Sequence, residues 1–146
     1  MGQLSAKSPA DLLADYVEAN NIIGGASGWP YFVGNQPDAP DQCVTFIDTS
    51  GPPGFPSISI DQVGVQVLVR GNKGAASYKD AYCQIQLIRT LCLGMQNAPA
   101  EFLELWGVSE RSQPVPLGND DKDRPNWSHT YLIWVGPDPT PNRQSA

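Results

Sequence analysis

Residues 58–70 alternate cleanly, with Val63, Val65, Val67 and Val69 on one face and Gln62, Gly64, Gln66 and Arg70 on the other. Period two is the mark of a half-buried strand. A one-residue slip would turn all four valines to the polar side, so the pattern also fixes which face meets the core. A different period precedes it. Over residues 9–19, Leu12, Leu13, Tyr16 and Val17 form one helical stripe, with Asp11, Asp15 and Glu18 away from it. Ser8-Pro9-Ala10-Asp11 supplies an N-cap, a proline at the first helical position and an acid in the first turn. Asn20-Asn21 and Gly24-Gly25 end that helix. A second helix is predicted over residues 77–93, where Tyr78, Ala81, Tyr82, Ile85, Ile88 and Cys92 recur at three- and four-residue steps. Lys79, Gln86 and Arg89 stay largely outside, and Gly94 is the stop.

Three further β-rich runs complete the pattern: residues 43–48, between two proline-punctuated loops, then 102–111 and 128–135, with a proline-rich loop between the last two. The order α, β, β, α, β, β has no internal repeat. It predicts an α+β fold: a two-layer sandwich in which two helices pack on one face of a mostly antiparallel, four-stranded sheet. At 146 residues the chain is the size of one domain. That domain is expected over residues 1–136, with 137–146 an extended or mobile tail that lacks an apolar anchor.

Composition narrows the class. Gly and Pro contribute 14 residues each, which marks a loop-rich globular chain, and a 40% hydrophobic content is too high for a disordered one. No apolar run approaches a membrane span, and the acidic first twenty residues do not read as a secretory signal, so synthesis in the cytoplasm is expected. The net charge is −6, and residues 1–60 carry one base against six acids, which excludes a phosphate-neutralising DNA binder. The three cysteines, Cys43, Cys83 and Cys92, have neither disulfide nor zinc spacing and read as reduced, mostly buried thiols.

Candidate chemistry is sparse. The run Asn119-Asp120-Asp121-Lys122-Asp123-Arg124 clusters carboxylates without the alternate spacing of a calcium loop, so a solvated loop or an Asp120–Arg124 pair is the better reading. His129 is the single histidine and reads as structural. No nucleophile elbow, P-loop or dinucleotide fingerprint occurs, and no catalytic, cofactor or metal residue is assigned. Trp29, Tyr31 and Phe32 lack the basic neighbours that base stacking needs, and fit packing or an interface. The stretch 114–128 is longer than an ordinary connection and is assigned to structure and assembly. An exposed Asp120–Arg124 contact there leads to the expectation that Arg124→Ala spares the isolated domain's melting temperature.

Four stretches in order resemble the tail terminator proteins of long-tailed bacteriophages, in the group called phage minor capsid protein. They are Asp38-Ala39-Pro40-Asp41-Gln42-Cys43-Val44; Val63 through Arg70-Gly71; the helix after it; and Pro116-Leu117-Gly118-Asn119-Asp120 with Arg124, Ser128 and Tyr131. The resemblance spans about residues 8–136. Asp123 stands where a small residue often precedes the arginine, and Thr130 where Asn is common. It implies a virion structural protein, not an enzyme: a subunit of a ring, commonly a hexamer, at the head–tail junction. That ring caps the tail tube, stops its polymerisation and meets the head connector, while DNA passes its lumen unbound. Interface candidates are then Trp29, Phe55, Lys79, Arg89, Asp120, Arg124 and Trp127. A head completion or stopper subunit is the alternative within the virion; a metal-dependent hydrolase or ligand-binding domain using Asp120, Asp121, Asp123 and His129 is the alternative outside it.

Overall fold

The computed structural model describes residues 8–49, 61–94 and 105–135. Helix α1 (Pro9–Ala19) begins where its cap predicts: the Ser8 hydroxyl accepts from the Asp11 amide, and the Asp11 carboxylate accepts from the Ser8 amide. Its Leu12, Leu13, Tyr16 and Val17 are buried, and the Ala10 amide donates to Asp48 Oδ1 at 2.9 Å. Helix α2 (Ala76–Leu93) buries Ala81, Ile85, Ile88 and Cys92.

The strands are β1 (Tyr31–Val33), β2 (Cys43–Thr49), β3 (Asp61–Arg70), β4 (Leu105–Glu110), β5 (Val115–Asn119) and β6 (Pro125–Val135). They form one mixed six-stranded sheet in the order β1-β2-β3-β6-β4, with β5 also paired to β6. Only β1–β2 is parallel. The fold is α+β as expected, but the four-stranded antiparallel sheet is corrected to six strands. Both additions have a physical reason for being hard to read. β1 has three residues between Pro30 and Gly34, too few to show a period. β5 contains Pro116, which a strand accepts only at an edge where no partner needs its missing N–H. It lies at such an edge, following β4 along the same side of β6, with register shifts at Leu105/Gly107 and Pro116/Gly118. The expected loop over residues 114–128 is therefore a β-hairpin.

Val65, Val67 and Val69 are fully buried and face both helices, together with Val44, Phe46, Trp127, Tyr131 and Ile133. One register row, Tyr31–Val44–Val69–Trp127–Pro116, crosses the sheet from edge to edge. On the opposite face Gln66, Leu68, Ser128, Thr130 and Leu132 are half-buried, and Gln66 Nε2 donates to Ser128 Oγ at 2.9 Å. All three cysteines are free; Cys43 and Cys92 are buried and Cys83 is exposed. Among the described residues no helix is long and apolar enough to cross a membrane. Phe55 and the 137–146 tail lie outside the described residues.

Candidate functional site

Two buried arginines organise one corner of the sheet. Arg70 ends β3 and Arg124 precedes β6, each only 3% exposed. Their common target is the loop of residues 38–42 leading into β2. Arg70 donates through Nε to the Asp41 carbonyl at 2.8 Å and through Nη2 to the Pro40 carbonyl at 2.7 Å. Arg124 Nη1 donates to the Asp38 carbonyl at 2.6 Å and to Asp41 Oδ1 at 3.1 Å. On its other side Arg124 meets Asp120 Oδ2, at 2.9 Å from Nε and 2.8 Å from Nη2. Burial opposes charge on Asp120, but the Arg124 side chain and nearby amides outweigh it and hold the carboxyl below its usual range. Lys122 and then Arg124 do the same to Asp38.

The backbone is shaped for this closure. Asp123 sits in the left-handed region at φ 59°, which a small residue reaches more easily, and its carbonyl accepts from Gly74. Gly71 donates to the Pro125 carbonyl at 2.9 Å, and a Cβ on it would lie 2.9 Å from the Ser77 carbonyl. Segments far apart in sequence thus close on one another: residues 38–42, the Arg70-Gly71 end of β3, and the 119–124 turn. These belong to the stretches whose order first suggested a family.

A family profile for the bacteriophage tail terminator protein matches residues 10–134, most of the chain and nearly all of its described part. The chain belongs to the bacteriophage tail terminator family. A search of curated proteins finds no match. The tail terminator assignment makes this a phage structural protein of the virion tail.

Several interface candidates turn out to be engaged within the tail terminator chain itself. Arg124 is the hub of the corner rather than half of an exposed pair, so the premise on which Arg124→Ala was expected to spare the melting temperature does not hold. Asp120 is its partner. Trp127 is 6% exposed in the core, where Tyr78 and Tyr82 pack on it at a tilt with ring centroids 5.3 and 5.1 Å away. Arg89 is fixed rather than free: it grips Glu110 with two bonds of 2.8 Å. Trp29 is half-buried against the core, and Lys79 is exposed. Sequence reading missed Arg70, Asp38 and Asp41 as one unit. The available signal was that all three, with Arg124, fall in the stretches that carry the resemblance.

Glu110 also accepts from His129, whose Nε2 lies 2.9 Å from Oε2, so Arg89–Glu110–His129 links α2, β4 and β6. A carboxylate only accepts, so the neutral imidazole carries its proton on Nε2. Among the described residues no group of three or more His, Cys, Asp or Glu is placed to hold a metal. Burial pushes His129 below its ordinary value of 6.5 despite the pull of Glu110, and Arg89 holds Glu110 below 4.5. The unfolded chain then binds protons that the folded one refuses. For His129 the contribution is complete above pH 6.5 and shrinks as pH falls toward the lowered folded value. For Glu110 it is present above 4.5 and lost as pH falls through its own lowered value. The melting temperature should be level from about pH 7 to 8, decline from about pH 6.5 downward, and fall again at alkaline pH, where unfolded Cys43 and Cys92 ionise while burial keeps the folded thiols protonated. In His129→Phe the decline between pH 7 and 5.5 should flatten; a slope identical to wild type would remove His129 from the account.

Proposed function

We propose that the chain is a ring subunit, hexameric in the assembled particle, that caps the finished tail tube and stops its polymerisation. The ring sits at the head–tail junction, with tube protein on one face and the head connector or stopper on the other. The observation that carries this reading is the family match over residues 10–134, which takes in the whole arginine-clamped corner. The net charge of −6 supports a lumen through which DNA slides without being held. Rigid, salt-bridged loops at the corner suit a docking surface, because little ordering remains to be done on contact.

The test is tube polymerisation. Purified tube protein is grown with and without this chain, and lengths and ends are read by electron microscopy. Tubes arrested early and bearing one ring at one end are expected. Tubes of unchanged length with bare ends would overturn the reading. A ring that binds only connectors, with tube growth unaffected, would transfer the chain to the stopper position.

A further inference from the structure

The two lateral edges of the subunit differ in shape and in charge. At the β1 edge, α1 carries Asp11, Asp15 and Glu18 and no base, with Glu18 exposed and the two aspartates half-buried. Beside it a hollow of about 380 Å³ is lined by Glu18, Gly24, Gly25, Gly28, Trp29, Pro30 and Tyr31. The potential there is felt by Tyr31, whose hydroxyl is pushed up to about 12 by burial and then by Glu18, Asp15 and Asp11. Toward the opposite edge, where β4 and β5 flank β6, α2 raises a ridge over β6. Tyr78 is 47% and Tyr82 43% exposed although both rest on Trp127, and Lys79 beside them on the helix is exposed. Glu110, at the end of β4, is neutralised there by Arg89.

We propose that, in the ring inferred above, the Tyr78–Lys79–Tyr82 ridge of one copy seats in the Glu18–Trp29–Tyr31 hollow of the next. The partner is a second copy of this chain, joined head to tail. Three physical points select it. An acidic, aromatic hollow matches a ridge of tyrosines and a lysine, since an ammonium is attracted both to carboxylates and to indole and phenol faces. Like edges would set the α1 acids of two copies against each other, so a two-fold dimer through this edge is disfavoured. Hollow and ridge also stand at the same height. The register row that begins at Tyr31 passes Val44 and Val69 to Trp127, the residue on which the ridge tyrosines rest. Contacts at equal height repeat by rotation with little rise, which closes a ring instead of winding a filament. Tyrosines and a tryptophan at the centre with charges around them is the usual anatomy of such contacts.

The inference rests on the ring reading, and charge reversal separates the two. Full-length protein is bound to tail tubes, and ring occupancy of tube ends is counted against concentration. Lys79→Glu reverses the ridge; Asp15→Lys with Glu18→Lys reverses the hollow. Each variant alone should raise the concentration for half occupancy by about tenfold or more, because like charges then face each other. The chain carrying all three changes should recover wild-type occupancy. Melting temperatures near wild type confirm that each variant is folded. Rings that form equally well in every variant would overturn the interface and leave the ring standing. Loss in both variants without recovery in the threefold variant would also overturn the interface. Absence of any ring with the wild type would overturn the ring reading itself and the interface with it.

Discussion

Val67→Asp is expected to abolish soluble, folded protein, whereas Gln66→Glu should leave a domain that still melts cooperatively. The two residues are neighbours on β3 and point to opposite faces. Val67 is fully buried between its cross-strand neighbours Phe46 and His129, beneath the helices. The neutral imidazole there gives its Nε2 proton to Glu110 and could pair with the new carboxylate only by taking up a second proton, which its burial opposes. A carboxylate at that site stays unpaired or must take a proton, a cost of several kcal/mol against a total margin of about 5–15 kcal/mol. Gln66 is half-buried on the other face, and its amide donates to Ser128 Oγ. A glutamate there can accept from the same hydroxyl, so the loss should stay within about 1 kcal/mol. Soluble expression and thermal melting decide the matter. Equal damage from both changes would mean that the second face is as thoroughly covered as the first.

The same two faces show what local sequence can and cannot reveal. β3 and α1 were legible because each carries its whole reason in a dozen residues: four alternating valines in one, and a Ser-Pro-Ala-Asp cap followed by a single apolar stripe in the other. β5 was not, because Pro114 and Pro116 argue against a strand unless it is known to be an edge, and edge position is a property of the assembled sheet. The candidate site divides along the same line. Asp120 and Arg124 are four residues apart and could be paired on sight. The contacts that bury Arg124 come from Asp38 and Asp41, more than eighty residues earlier, and leave no periodic trace. Arg70 lay on the predicted polar face and indeed lies there, but the loop that covers it could not be foreseen from alternation alone.

Arg124→Ala follows from that long-range burial and should cost the isolated domain about 2–4 kcal/mol, a fall in melting temperature on the order of 10 °C. The guanidinium is 3% exposed and serves three carboxylates and one carbonyl. Its removal leaves the Asp38 carbonyl without its donor and places the Asp41 and Asp120 carboxylates close to one another with no cation between them. The loss is held below that of a fully buried pair because these carboxylates reach water and can rehydrate. Arg124→Lys should fall between wild type and alanine, since one ammonium keeps the charge but cannot span the Asp120, Asp38 and Asp41 positions that the planar fork spans. Lys122→Ala is the control: Lys122 is bound to the same Asp38 but is itself exposed, and its loss should change melting little. If alanine at position 124 left the melting temperature where it is, the arginine clamp would not hold the 38–42 loop, and the corner would owe its shape to Arg70 and the hairpin alone.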